Sequence, residues 1–273
     1  LKTEIDFLKR HGTFNSNGSN SFVLLPENQY LCYIDELKWY MDETFIELGA
    51  SEGGLGSNFV SIHPEQDSLS FYSKKAIYSL KDYIIKAEEV DQIEVADAVI
   101  FPANKSVRVE KNAKMNRFYK SSLSVENAQN IHELYDADIS VFGKNSYTGF
   151  ASINFVGRGL DKQVVMFDTL YVDDSQQTIG VGDISPERNF KFNPQFSYKG
   201  SVKMEGSKKE FLYDGAFKVN HECYLIDETW VQFNDYVGMN EIKLPIGDSL
   251  IDESGNTLFV GPIMSDDRIY PAF

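Results

Sequence analysis

The chain has 273 residues, of which 42% are apolar and 14% aromatic, with 20 Phe and 15 Tyr. This composition supplies a core for one large domain or two ordinary ones and excludes general disorder. The net charge of −15 repels phosphate backbones, so the sequence predicts no nucleic-acid partner. No apolar run is long enough for a membrane-spanning segment.

The first half of the chain reads as a series of short strands. Phe22–Leu25 is strand-like and is closed by a proline, and SEGGLGS at residues 51–57 reads as a loop. The stretch YLCYIDELKWY at residues 30–40 fits both helical and strand spacing, but the β-prone residues that follow favour a strand around residues 37–48. Further strands are predicted at Phe59–Ile62, Leu69–Tyr72, Ile77–Leu80 and Tyr83–Ala87.

A second periodicity runs through residues 90–141. A small residue is followed two positions later by an apolar one, with spacings of 15, 8 and 16 residues; the four instances are Ala98–Ile100, Ala113–Met115, Ser121–Leu123 and Ala137–Ile139. A unit near eight residues is typical of the faces of a parallel β-helix, in which small residues fit tight inward positions. Strand–turn units of an ordinary sandwich are the alternative.

The last half contains longer strands and an internal repeat. Residues 150–156 and 164–172 are separated by GRGLDK and predict a hairpin. Residues 196–204 (FSYKGSVKM) then align with residues 211–219 (FLYDGAFKV), with Phe, Tyr, Gly and Lys coinciding. Apolar residues alternate within each copy, as in a half-buried strand. We interpret the two copies as an antiparallel pair, because a parallel connection usually needs a longer return segment; a coil-like stack of equivalent strands is the alternative.

These patterns predict an all-β fold with little helix. A β-solenoid-like region of stacked short strands merges into an antiparallel sheet or sandwich. The predicted divisions are an N-terminal β segment at residues 1–75, solenoid-like repeats at 76–160 and an antiparallel region at 161–273, or else one continuous β domain. Because the chain starts without Met and ends on the apolar tail IYPAF, we interpret it as a piece of a longer protein.

Most catalytic signatures are missing from the sequence. The four histidines are far apart and form no HExxH pair, and GxSxG, P-loop and GxGxxG motifs are absent. Only His221 and Cys223 share a local strand face with donor atoms. Cys32 and Cys223 are predicted as buried free thiols, with one long-range disulfide as the alternative. The sequence predicts no catalytic residue, no cofactor and no metal site.

The paired carboxylates have a structural and a functional interpretation. A polysaccharide lyase needs a basic residue near its acidic groups, and Lys105 and Arg108 lie near Asp97 in the sequence. Charged residues along a solvated sheet edge explain the same pattern. The carboxylate pairs are Asp173-Asp174, Asp227-Glu228, Asp252-Glu253 and Asp266-Asp267.

Residues 248–256 resemble a calcium loop in outline but fit a turn between strands better, since the terminal bidentate Glu is missing. An alternating aromatic stripe favours a core position over an exposed carbohydrate platform. The stripe comprises Phe190, Phe192, Phe196 and Tyr198.

Two segments resemble known families. The paired Tyr-x-Gly strands at Tyr198–Gly200 and Tyr213–Gly215, with turn chemistry at Gly206-Ser207, resemble the OstA-like repeats of the lipopolysaccharide-transport bridge family. Residues 96–100 (ADAVI) and 111–115 (KNAKM) are similar to β-solenoid segments of very large Gram-negative envelope proteins of unknown function. The resemblances imply a cell-envelope or surface location, a scaffolding or binding role, and no catalytic residues.

We therefore expect a non-enzymatic structural or interaction module of a larger envelope or surface protein. Its partners would be other segments of that protein or other envelope proteins. A glycan-binding or polysaccharide-active β-helix is the alternative, with a glycan as partner and an open groove bearing exposed aromatics. An OstA-like lipid-handling strand stack is the second alternative.

Overall fold

The protein is almost entirely β-structure. The computed structural model describes residues 2–16, 21–50, 54, 56–126, 131–157, 159–221, 228–238, 250–258, 261–265 and 268–272. Within these ranges, 26 strands and two short 3-10 helices (Pro64–Gln66 and Pro186–Arg188) account for the regular structure. The predicted all-β class is confirmed.

The smaller of the two large sheets, sheet A, contains seven strands from the described part of the N-terminal half. Their order in the sheet follows their order in the chain, and every pair is antiparallel. The strands are β1 (Lys2–Asp6), β2 (His11–Asn15), β5 (Glu36–Tyr40), β6 (Phe45–Gly49), β9 (Lys75–Ser79), β10 (Ile84–Glu88) and β13 (Ser106–Val109).

The larger sheet, sheet B, contains 15 of the described strands. Its first part comprises β3 (Phe22–Leu25), β4 (Tyr30–Tyr33), β7 (Ser57–Ser61), β8 (Ser70–Ser73), β11 (Ile93–Val95), β12 (Ala98–Phe101) and β14 (Phe118–Glu126). Its second part comprises β15 (Ile131–Gly143), β16 (Ser146–Phe155), β17 (Gln163–Val172), β18 (Thr178–Ile184), β19 (Lys191–Asn193), β20 (Phe196–Glu205), β21 (Phe211–Val219) and β22 (Trp230–Val237).

Four short strands near the C-terminus form two separate pairs. β23 (Leu250–Ile251) pairs with β24 (Thr257–Leu258), and β25 (Gly261–Ser265) pairs with β26 (Arg268–Ala272). The turn between β23 and β24 is closed by Asp252, whose Oδ1 accepts a hydrogen bond from the backbone N of Asn256 at 2.7 Å. The predicted turn within residues 248–256 is confirmed for the part that the structure describes, residues 250–256.

Hairpins of the first half alternate between the two sheets. β1–β2, β5–β6 and β9–β10 belong to sheet A, while β3–β4, β7–β8 and β11–β12 belong to sheet B. The single strand predicted around residues 37–48 is therefore the β5–β6 hairpin. All strands described within residues 90–141 pair antiparallel. A parallel β-helix in this stretch is not confirmed. The spacing of the sequence pattern comes from antiparallel strands that are divided between the two sheets.

Sheets A and B enclose a common hydrophobic core. Buried residues alternate along both sheets, and one cluster joins Leu48 and Ile85 of sheet A with Phe59 and Ile100 of sheet B. The two layers are also joined by the side chain of Asn28, whose Nδ2 donates to the carbonyl oxygens of Tyr83 and Val109 at 2.8 and 3.2 Å. The first half is therefore a two-layer sandwich.

The second half of sheet B curls around its own core. The rings of His132 on β15 and Phe211 on β21 have centroids 5.4 Å apart, although four strands separate β15 and β21 in the sheet order. A flat sheet would place these strands about 24 Å apart, at roughly 4.8 Å per strand. The sheet must therefore bend until its concave face packs against itself.

The sequence repeat forms the antiparallel pair β20–β21. Gly200 lies directly opposite Gly215, which confirms the antiparallel interpretation. A Cβ on either glycine would come within 2.9 Å of the hydroxyl oxygen of Tyr198, so this ring occupies the space that the paired glycines leave. The hairpin predicted within residues 150–172 is also confirmed, as β16 and β17.

The predicted division into three segments remains a prediction. Strand pairing crosses both predicted segment boundaries. β8 pairs with β11 across the boundary at residue 75, and β16 pairs with β17 across the boundary at residue 160.

Candidate functional site

The histidines lie in separate parts of the fold. His63 caps a 3-10 helix by accepting a hydrogen bond from the N of Glu65 at 3.2 Å, while His11 begins β2 and His221 follows β21. His132 is buried, and its Nε2 donates to the carbonyl of Lys208 at 2.7 Å. Burial lowers the pKa of this imidazole below its ordinary value. Among the described residues, no group of three or more His, Cys, Asp or Glu could hold a metal ion.

Only one of the two cysteines, Cys32, lies in the described part of the chain. Cys32 is a fully buried free thiol on β4, and burial raises its pKa to about 12. Such a thiol stays protonated and packs as a small apolar side chain. Glu222 and Cys223 lie outside the described residues. The shared strand face predicted for His221 and Cys223 therefore stays a prediction.

The basic residues proposed near Asp97 pair elsewhere. Lys105 donates to Asp91 at 2.9 Å, and Arg108 to Glu110 at 3.2 Å. Asp97 instead accepts from the backbone N and the hydroxyl of Thr178.

The remaining carboxylates are divided between turns and surface ion pairs. Asp173 closes the β17–β18 turn by accepting from the N of Ser175 and Gln177 at 2.9 and 3.0 Å. Glu228 and Glu253 pair with Lys218 and Lys199, respectively. Asp227, Asp266 and Asp267 lie outside the described residues.

The aromatic stripe of residues 190–198 belongs to the core. Phe190, Phe192 and Tyr198 are buried, with ring centroids 5.0 Å apart for Phe192 and Tyr198, and Phe196 is partly buried against the same cluster. The predicted core position is confirmed, and these rings provide no external platform. They also fill the interior of the curled half.

A different set of aromatic residues lies on the outer face of sheet B. Their strands place the neighbouring residues inward, so these rings point away from the core. Tyr72 is 50% exposed, Phe101 38% and Tyr33 37%, and Tyr135 is half-buried. We call Tyr33, Tyr72, Phe101 and Tyr135 the aromatic row.

Strand register places the row in one line across the sheet. Tyr33 lies opposite Asn58, and Asn58 lies opposite Tyr72. Gln92 lies one position before Ile93, which pairs with both Phe71 and Ile100, so Gln92 lies between Tyr72 and Phe101. At the far end, Leu123 pairs with Leu134, so the next residues, Ser122 and Tyr135, lie side by side at a β-bulge. An aromatic residue therefore recurs on every second strand of sheet B from β4 to β15.

Polar side chains separate the aromatic rings. Asn58, Gln92 and Ser122 occupy the intervening strands, and Phe101 lies directly opposite Ser122. We call these three residues the polar spacers. Among the described residues, the Oδ1 atom of Asn58 is buried and has no hydrogen-bond partner. The row thus alternates rings with side-chain amides or a hydroxyl, each of which both donates and accepts hydrogen bonds.

The ends of the row differ in shape. At one end Phe22 packs edge-on against Tyr33, with centroids 6.1 Å apart. At the other end an open groove of about 450 Å³ lies between Phe101 and Tyr135 and is also lined by Ser122, Glu133 and Asn154. The hydroxyl of Tyr135 donates to Oδ1 of Asn154 at 2.8 Å, which orients the ring at the groove.

The outer face of sheet A has a different character. Its central cross-strand line is Lys38, Glu47, Ile77, Lys86 and Arg108, which is mostly charged. Charged faces of this kind are typical of solvated sheets, whereas a line of exposed aromatic residues marks an interaction surface. The contrast makes the outer face of sheet B the candidate interaction surface.

The two carboxylates beside the row stand on strands that are not neighbours in the sheet. Glu94 and Glu133 lie in the neighbouring cross-strand line, joined through Val99 and Ser124. Three strand steps separate them by about 14 Å. Glycoside hydrolysis requires separations of roughly 5–10 Å. Glu94 accepts a hydrogen bond on its Oε1 from the Nε2 of Gln92 at 3.2 Å.

A second groove, of about 520 Å³, lies over β20 and β21. Lys199 and Lys218 flank the Trp230 ring, with Nζ atoms 4.5 and 5.3 Å from its centroid. Each lysine is already paired with a carboxylate, Glu253 or Glu228. The internal pairing of these charges makes this groove a weaker candidate than the aromatic row.

Sequence reasoning did not identify the aromatic row. Its members are separated by 39, 29 and 34 residues, and their alignment depends on strand register between hairpins. A local signal was present at Phe71-Tyr72, where two adjacent aromatics on one strand must point to opposite faces.

No protein-family model, curated protein or solved structure matches the chain. In the part of the chain that the structure describes, no helix has the length and apolar character needed to span a membrane.

Proposed function

We propose that this protein is a non-enzymatic binding module of a larger envelope or surface protein, and that the aromatic row is its contact surface for a polysaccharide. The alternation of exposed rings with amides and hydroxyls carries this proposal. Sugar rings present apolar C–H faces and a rim of hydroxyls, so they need aromatic platforms and nearby groups that donate and accept hydrogen bonds.

Two other observations support a surface ligand. The interior of the curled half is filled by packed rings such as Phe192 and Tyr213, with centroids 4.8 Å apart, which favours an external ligand over a lipid held inside. The separation of Glu94 and Glu133 favours binding over hydrolysis. The envelope location rests on the resemblance of residues 96–115 and 196–219 to envelope proteins.

The proposal is tested by removing the two central rings. We expect the Tyr72→Ala/Phe101→Ala double variant to lose roughly tenfold or more in affinity for polysaccharides, because each ring contributes about 0.5–1.5 kcal/mol beyond its buried area. Mobility in native gels that contain soluble polysaccharides measures this effect.

The matched control is Ile77→Ala on the outer face of sheet A, which should migrate like the unmodified protein. Equal retardation of the double variant and the unmodified protein would contradict the proposal, as would no retardation by any polysaccharide. Self-association that the double variant abolishes would assign the face to a second copy of the chain and also contradict it.

A further inference from the structure

The spacing of the aromatic row selects a particular ligand geometry. Rings on every second strand are about 9.5 Å apart, twice the distance between neighbouring strands. In an extended β-1,4-linked glycan, successive sugars are flipped, so equivalent ring faces recur at every second sugar. Two pyranose rings joined through equatorial bonds span a closely similar distance. A helical α-linked glycan does not present equivalent faces at this repeat.

The polar spacers fit the same repeat. Each of Asn58, Gln92 and Ser122 lies midway between two rings, level with the alternate sugar of such a chain, whose equatorial hydroxyl groups line the edges of the chain. One ring and one spacer therefore match one disaccharide.

Charge restricts the ligand further. The chain carries a net charge of −15, and Glu94 and Glu133 flank the row. Uronic acid or sulfated glycans would be repelled by this field. The face therefore suits an uncharged glycan.

Sheet twist distinguishes a single chain from a crystalline surface. Neighbouring strands rotate by about 20–25°, so successive rings of the row rotate by roughly 40–50°. A soluble chain can follow this rotation by adjusting its glycosidic torsions. The flat face of a crystalline polysaccharide can contact only one or two rings at once.

We propose that the aromatic row binds a single, uncharged, extended β-1,4-linked glycan chain that runs across the strands with one disaccharide per ring. This inference rests on the proposed function and adds the linkage, charge and direction of the ligand. The four rings Tyr33, Tyr72, Phe101 and Tyr135 then define four disaccharide subsites.

Calorimetric titration of the unmodified chain with oligosaccharides tests this inference. The probes are β-1,4-linked gluco-oligosaccharides of two, four, six and eight sugars, compared with α-1,4-linked ones of equal length. We expect affinity for the β-linked series to rise roughly three- to tenfold per disaccharide and to level off at eight sugars, because each step adds one ring contact. The α-linked series should bind weakly and without this increase.

Failure of this inference and failure of the proposed function give different results. Equal binding of the α-linked series, or no dependence on length, would overturn this inference and leave glycan binding intact. Tighter retention on crystalline cellulose than on the eight-sugar chain would overturn the single-chain geometry. Absence of binding to every oligosaccharide and polysaccharide would overturn the proposed function as well.

Discussion

Replacing Gly200 with alanine is expected to destabilise the fold by about 3 kcal/mol, because overpacking and backbone strain act together at this position. A Cβ there would lie 2.5 Å from the Cα of Gly215 and 2.7 Å from the carbonyl oxygen of Asp214. Both contacts are with the backbone of the paired strand, which cannot move without breaking the β20–β21 ladder. The φ of +130° adds strain for any L side chain.

Urea unfolding of Gly200→Ala and of the unmodified chain measures this difference. Gly255→Ala is the matched control, because Gly255 also has a positive φ, +87°, but nothing lies within 4 Å of its Cβ position. We expect the control to cost only about 1 kcal/mol. Equal losses for the two variants would show that the close approach of Gly200 and Gly215 contributes nothing.

Removing the carboxylate of Asp97 is expected to cost about 2–4 kcal/mol, because it leaves two buried donors without their charged acceptor. This side chain in the β11–β12 turn accepts from the N of Thr178 at 3.0 Å and from its hydroxyl at 2.5 Å. Thr178 is fully buried at the start of β18 and also bonds the hydroxyl of Tyr147 at 2.7 Å. Asp97→Ala therefore also removes a link between the sandwich and the curled half.

The control for Asp97→Ala is Asp91→Ala, measured by the same urea unfolding. Asp91 is an exposed carboxylate that pairs with Lys105 and Lys74. Exposed ion pairs contribute roughly 0–1 kcal/mol, so this variant should unfold close to the unmodified chain. A loss for Asp97→Ala no larger than that for Asp91→Ala would contradict the assigned link.

Local chemistry was sufficient to predict some pairings. The FxYxG repeat predicted that residues 196–204 and 211–219 pair antiparallel, because the short segment between them favours a hairpin over a parallel return. GRGLDK predicted the β16–β17 hairpin for the same reason. Alternation also predicted the buried positions of Phe190, Phe192 and Tyr198.

The assignment of hairpins to sheets could not be predicted in this way. β3–β4 and β5–β6 have the same alternating pattern, yet they belong to different sheets. The choice depends on packing between layers, such as the hydrogen bonds from Asn28 to Tyr83 and Val109, which join residues more than 50 positions apart. For the same reason, the eight-residue spacing in residues 90–141 is compatible with both a parallel coil and antiparallel hairpins.

The candidate site could not be predicted from the sequence for the same reason. Tyr33, Tyr72 and Phe101 are ordinary strand aromatics when each is taken with its own neighbours. They become a binding surface only when the register between three hairpins places them in one line. Single-strand patterns contain no information on that register.

The central claim, that a glycan lies along the aromatic row, is tested most directly by NMR of the chain with labelled aromatic rings. On addition of the eight-sugar β-1,4-linked chain, we expect the ring signals of Tyr33, Tyr72 and Phe101 to shift together. The indole signals of Trp39 on sheet A and Trp230 beside the second groove should stay unchanged. Shifts at either tryptophan with none in the row would contradict the account.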